Sequence, residues 1–330
     1  MAGRMDDVEF RRLVDDARNR HNLSDILSRH TTLKRRGARE MVGLCPFHEE
    51  RSPSFEVNDT KGTYHCHGCG AGGDAITALT TLEGMSFIDA LKTLAGDAFP
   101  VISDEERAKR KADDERELAD RIALARSIWD RAGPIAGTPA EKYLRSRAIT
   151  IHPPLSVRFV RTPRWRNAET GEDGRDVPAM ACALTDQSGD VVGVQCVFLE
   201  EDGRKYERQR PDGSRSYAKL SFGVVLGAAL RLGPLRGEII VCEGPEDGLS
   251  LMQQLPDRSI WVTCGTAGMS RLQFPSEVHS VVLAGDNGEA GRKAVEEAHA
   301  VYLKQGLSVR EIFPDPEFKD WNDEIQGARS

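Results

Sequence analysis

Two short hooks, Cys45-Pro-Phe-His48 and Cys66-His-Gly-Cys69, stand with seventeen residues between them. A stretch of that length closes a hairpin and brings both hooks to one place. Together they offer three thiolates and one imidazole to a tetrahedral point, the donor set that zinc takes. Four protein donors leave no position for water, so such a zinc is structural rather than catalytic. The competing reading, unrelated core cysteines, has to produce two matched hooks by coincidence. His65 and His67 flank the second hook. Either could replace His48, but neighbouring side chains in a tight turn point apart.

The other cysteines need no such explanation. Cys182, Cys196, Cys242 and Cys264 sit among apolar residues and read as small buried hydrophobes. The chain has 330 residues, 39% of them hydrophobic and 29% charged, which suits a soluble protein of two or three domains. No apolar run is long enough to span a bilayer and no secretory leader is evident, so the expectation is a cytoplasmic protein with no membrane partner. A formal charge of −7 excludes a protein that coats nucleic acid by net charge alone. It leaves room for local cationic surfaces, and for acidic residues whose charge is offset by metal.

Four segments follow from the rhythm of the chain: a metal-binding domain over 1–100, a charged helical linker over 101–130, a mixed region over 131–235 and a parallel α/β domain over 236–327. Residues 5–30 read as helical, with Leu23, Ile26, Leu27 and His30 as the stripe. Asp74 is placed to cap a helix through Ile76, Leu79 and Leu82, and a second helix from Ser86 ends at Gly96. The stretch 103–128 mixes both charge signs with few apolar residues, as exposed helices do. Runs at Val177–Leu184 and Val191–Leu199, split by Ser188-Gly189-Asp190, read as antiparallel strands. From Glu238 onward, strands alternate with helices, the pattern of a parallel sheet.

Carboxylates fall at the strand ends of that last region. Glu243 closes its first strand and Asp286 its third, and each has glycine close behind it. In open parallel sheets the crevice beyond the carboxyl ends of the strands takes the ligand. Asp247 lies one helical turn past Glu243, and Asp320 follows the last strand. Oxygen donors there suit Mg2+ or Mn2+ beside nucleotide phosphates, with glycine allowing phosphate to approach the backbone. The plainer reading is acidic residues favouring helix N-termini, which any one of them alone would support.

Cations and rings interleave upstream. Arg158-Phe-Val-Arg161, Arg164-Trp-Arg166 and Arg204-Lys205-Tyr-Glu-Arg208-Gln-Arg210 pair phosphate binders with stacking surfaces, as single strands require. Solvated strand edges look the same. Phe55 and Tyr64 either present a nucleic-acid surface or pack around the metal.

These residues resemble a family. Leu44-Cys-Pro-Phe-His-Glu-Glu-Arg-Ser-Pro-Ser-Phe55, Tyr64-His-Cys-His-Gly-Cys-Gly70 and Gly72-Gly-Asp74 look like the zinc-binding domain of DnaG-type primases. Cys242-Glu-Gly-Pro-Glu-Asp-Gly248 and Gly285-Asp-Asn-Gly-Glu-Ala-Gly291 look like the two Toprim motifs, and Lys319-Asp-Trp-Asn-Asp323 is similar to the closing motif of short phage and plasmid members. The resemblance implies an α+β multidomain fold: a small zinc ribbon, then a mixed α/β core ending in a Rossmann-like Toprim sheet. It implies Mg2+-dependent synthesis of RNA primers from nucleoside triphosphates on single-stranded DNA in the bacterial cytoplasm. Glu243, Asp247, Asp286 and Asp320 would be the catalytic acids, and Lys219 would contact nucleotide or template. The family's second motif usually reads Asp-x-Asp, whereas Gly288 stands at its second place here. Glu289 or Asp247 would then fill the gap, or one metal would bind weakly.

The helical remainder and helicase-binding domain of cellular primases do not follow the Toprim motifs, so a replicative helicase or other replication protein would act in trans. Two further readings stay beside priming: a non-catalytic zinc and Toprim DNA-binding protein, and a Toprim nuclease.

Overall fold

The computed structural model describes residues 7–36, 40–96, 104–165, 172–207 and 218–329. The chain forms two compact units, residues 1–116 and 117–330. The boundary falls within α5 (Asp104–Asp130), whose dense charge allows it to be solvated along much of its length.

In the first unit, α1 (Asp7–Asn19) and α2 (Leu23–Leu27) precede an antiparallel sheet in the order β1-β2-β3-β4-β5. Its strands are β1 (Lys34–Arg35), β2 (Glu40–Gly43), β3 (Phe55–Asn58), β4 (Thr63–Cys66) and β5 (Gly72–Gly73). The helix expected over 5–30 is therefore broken. Asn22 is extended at φ −67°, ψ 132°, and buried His21 turns its Nε2 to the Leu94 carbonyl at 2.7 Å, so the chain leaves the helical path there. α3 (Ala75–Leu82) starts on Asp74, whose carboxylate accepts the Thr77 N–H at 2.8 Å, and α4 (Phe87–Ala95) starts on Ser86. Each cap satisfies an N–H that the first helical turn leaves unpaired. Strand alternation puts Phe55, Val57, Tyr64 and Cys66 inside, against Leu23, Ile26, Leu27, Leu79 and Leu94. Phe47 stacks on Tyr64 with ring centroids 5.2 Å apart. Phe55 and Tyr64 thus belong to the core around the metal hooks.

The second unit holds two sheets. After α6 (Pro139–Ser146), β6 (Val157–Pro163), β7 (Asp176–Thr185), β8 (Val191–Phe198) and β9 (Lys219–Gly223) form an antiparallel meander in chain order. β7 reads as one long apolar run because both of its faces are covered. Val177, Ala179 and Ala181 cluster with Ala125 and Ile128 of α5, while Met180, Cys182 and Leu184 cluster with Tyr143 and Leu144 of α6.

The second sheet has the order β10-β12-β11-β13-β14. β10 (Leu230–Leu232) is antiparallel to its neighbour; β11 (Glu238–Cys242), β12 (Ser259–Val262), β13 (Ser280–Ala284) and β14 (Ser308–Ile312) are parallel. From β11 the chain crosses through α7 (Pro245–Gln254) to one side, and from β13 through α8 (Glu289–Lys304) to the other. Ile240, Cys242, Val262 and Val282 pack with Leu249 of α7, and Ile239, Val241, Val281 and Leu283 with Val295 and Ala298 of α8. Strand order reverses between β11 and β13, so their carboxyl ends border the crevice where such sheets bind ligands. α9 (Trp321–Gln326) closes the unit, and Asn322 is buried against Asp247 and Ser250. No helix among the described residues is long and apolar enough to cross a membrane.

Candidate metal centres

Cys45 and His48 lie on the loop between β2 and β3, and Cys66 and Cys69 at the turn leaving β4. One ligand atom from each falls within 4.8 Å of all the others. His48 presents Nδ1 to this point, 3.8 Å from Cys66 Sγ, and its Nε2 lies 3.4 Å from a Glu50 oxygen. Glu50 is fixed in turn by the N–H groups of Cys45 and Ser54 and by the Ser54 hydroxyl, whose hydrogen bond holds its carboxyl below the usual range. A carboxylate on the far nitrogen of a ligating imidazole orients the ring and raises its basicity. Burial raises the Cys66 thiol, but its hydrogen-bond contacts with the Ser54 hydroxyl and with the Cys69 and Gly68 N–H groups outweigh it, bringing the thiol down to about 6. Gly68 is required: a Cβ there would lie 2.9 Å from both His48 Nε2 and Ser54 Oγ. Burial pushes the Cys45 thiol the other way, up to about 12, so it is the convergence of three soft sulfurs and one imidazole on one point that fits structural zinc.

Glu50 was not among the residues that the hooks suggested. Its role comes from the fold of the loop, although its place two residues after His48 was a signal. Glu50→Ala is expected to weaken zinc binding about 10- to 100-fold, read by competition with a chromophoric chelator.

The second centre is built at the strand ends. Glu243 directly follows β11, Asp286 lies just past β13, Asp247 is in the first turn of α7, and Asp320 caps α9 by accepting the Asp323 N–H at 2.8 Å. Burial, then the fields of Glu243 and Asp320, push Asp286 up to about 6. Burial, then Asp286 and Asp320, push Asp247 well above the usual range, and burial raises Glu243. Asp286 therefore feels the charge of Glu243 and Asp320, and Asp247 that of Asp286 and Asp320. Buried Asp286 Oδ1 has no hydrogen-bond partner. Gly244 admits Asp247, since a Cβ there would lie 2.4 Å from its Oδ2.

Among the described residues, only the Cys/His set closes to a tight point. The carboxylates are looser, as suits hard ions that share their shell with phosphates and water instead of filling it from the protein. An unpartnered buried oxygen among repelling carboxylates fits Mg2+.

Residues 10–110 match the CHC2 zinc finger model, residues 119–232 a domain of unknown function (DUF7146), and residues 238–329 the Toprim domain. The chain thus carries a CHC2 zinc finger match followed by a Toprim match, and the curated proteins it resembles are DNA primases. It is 40% identical over 202 residues to the DNA primase of Halalkalibacterium halodurans, covering 60% of this chain and 32% of that one. Against the DNA primase of Streptomyces coelicolor it is 26% identical over 336 residues, covering 89% of this chain and 51% of that one. The chain thus spans about a third to a half of the length of these curated relatives. The crystal structure of the Aquifex aeolicus primase zinc-binding and RNA polymerase domains aligns with TM-score 0.41 and 20% identity, covering 96% of this chain and 82% of that one.

Gly288, at the second place of the second Toprim-like motif, caps α8 in an extended conformation (φ −74°, ψ 157°) open to any residue. A Cβ there would meet nothing within 4 Å. Glu289, exposed beside it, starts α8. Space therefore does not explain the missing aspartate. Gly288→Asp is expected to tighten Mg2+ binding on the order of 3- to 10-fold, because added ligand charge raises divalent affinity. Unchanged affinity in a calorimetric titration would show that the crevice lacks no charge at this place.

The basic candidates scatter. Arg161 makes a two-pronged pair with Glu201, both contacts at 2.8 Å, and Arg204 pairs with Asp202 at 2.7 Å. Arg158 lies over the Trp129 ring and Arg164 over Tyr206. Lys205 and Lys219 converge instead on Glu246, another residue that the motifs left without a role. Arg166, Arg208 and Arg210 lie outside the described residues.

Proposed function

We propose that the chain is a template-directed nucleotidyltransferase that makes short RNA primers on single-stranded DNA. The observation that carries this is the four-carboxylate crevice, opening at the topological switch of a parallel sheet in a chain that also holds the zinc hooks. Mg2+ bound there would lower the charge barrier for a 3′-hydroxyl attacking an α-phosphate in line, with pyrophosphate leaving. Glu243, Asp247, Asp286 and Asp320 would hold it, with Asp286 Oδ1 free to accept the ion. Lys219, beside the crevice, would meet the nucleotide or template, and the exposed face of the zinc unit would handle template. The names of the curated relatives support this reading. Priming would take place in the cytoplasm, with a replicative helicase or another replication protein acting in trans.

The 330-residue chain given labelled ribonucleotides, single-stranded DNA and Mg2+ is expected to yield short alkali-labile products. Shortening of the DNA strand would point to a Toprim nuclease instead. DNA binding with neither product would leave a non-catalytic binding protein.

A further inference from the structure

Glu246 is 4% exposed, and its carboxylate is fully engaged. Oε2 accepts from Lys219 Nζ at 2.7 Å; Oε1 accepts from the Tyr143 hydroxyl at 2.5 Å and lies 3.2 Å from Lys205 Nζ. These donors come from β9, from α6 and from Lys205, which bridges to Leu199, all N-terminal to the parallel sheet. With two ammonium groups and a hydroxyl already on its oxygens, Glu246 is neutralised as a site for a further cation.

Lys219 has another choice. Glu246, which holds it at 2.7 Å, stands in the first turn of α7 next to Asp247 and three residues after Glu243. A lysine head on a flexible four-carbon stem turns to whichever carboxylate is unpaired. Inside the crevice it would neutralise one charge and fill space that a divalent ion needs.

We infer that Glu246 is a positioning residue that parks Lys219, holding its ammonium off Glu243 and Asp286 so that these carboxylates stay open to divalent cations. The inference rests on the reading of the crevice as a divalent-metal site. It gives Glu246 a task that the metal ligands cannot perform for themselves, since each of them attracts the same ammonium.

The test is Mn2+ binding to the zinc-loaded full chain, read from the electron paramagnetic resonance signal of free Mn2+ without nucleotide or DNA. Glu246→Gln is expected to weaken binding about tenfold. Adding Lys219→Met to it is expected to restore binding to within about twofold of wild type, because the two residues act as a coupled pair. Lys219→Met alone is expected to change binding by no more than about twofold. Wild-type affinity in Glu246→Gln, or a double variant as weak as the single one, would overturn the inference while leaving the metal site standing. Should Glu246→Gln fail to fold, Lys219→Met decides: near-wild-type binding supports parking, and roughly tenfold tighter binding overturns it by showing that the ammonium already competes. A wild-type protein that binds no Mn2+ in the crevice would remove the metal site and this inference with it.

Discussion

Asp286→Ala is expected to reduce primer synthesis on the order of 10³-fold while leaving the metal-free protein more stable than wild type. Both effects have one origin. Asp286 is held among other carboxylates with one oxygen unpartnered, an arrangement that costs the fold energy until a cation enters. The sign follows from linkage. Asp286 is raised from an ordinary 3.8 to about 6, so the folded chain holds this proton more tightly than the unfolded one. Its contribution is therefore full below about pH 4 and is lost as pH rises through about 6. At pH 8 in chelator, removing the group should raise stability by about 1–2 kcal/mol, discounted for its partial exposure. In Mg2+ at pH 8 the ranking should reverse, because ligand binding stabilises only the chain that binds it. Thermal melts of both proteins with chelator and with Mg2+ check this. A variant that is inactive and equally destabilised under both conditions would show that Asp286 is a structural residue.

Loss of zinc has the second large expected effect, and it should be confined to one unit. Cys66 is fully buried between Phe55 and Tyr64, so its bond to metal is continuous with the core of residues 1–116. Structural zinc supplies about 10–16 kcal/mol of apparent binding energy to small metal-organised domains, comparable to their whole stability. Cys66→Ser, or prolonged chelation, is expected to unfold the first unit. The second unit has its own two sheets and clusters and should keep its melting transition. Hydrogen exchange on the full chain would show protection lost over β2 to β4 and kept over β11 to β13. Protection kept throughout would mean that this unit folds without metal.

The parts legible in the sequence were those whose signal is local. Hook spacing identifies Cys45, His48, Cys66 and Cys69, because a hairpin is the only thing needed to bring them together. Buried strand runs, each ending in an acid and glycine, mark Glu243 and Asp286, because strand order alone then places them at one crevice. Glu50 and Glu246 were not legible as partners, since each acquires its role from a neighbour supplied by folding: the far nitrogen of His48 for one, Lys219 and Tyr143 for the other. The broken helix before the first sheet was hidden for the same reason. Residues 20–22 carry no glycine or proline, and the break is secured by a bond from His21 to distant Leu94. Composition likewise separated Phe55 and Tyr64 from neither a core nor a nucleic-acid surface; burial does.

The central claim is that one chain joins ribonucleotides under the instruction of a DNA strand. Mass spectrometry of the products formed on a single-stranded template of defined sequence tests it most directly. The expected result is short oligoribonucleotides with 5′-triphosphates, complementary to that template, formed with Mg2+ and absent with chelator. Products unrelated to the template, or no oligoribonucleotide from a protein proven to hold its zinc, would contradict it.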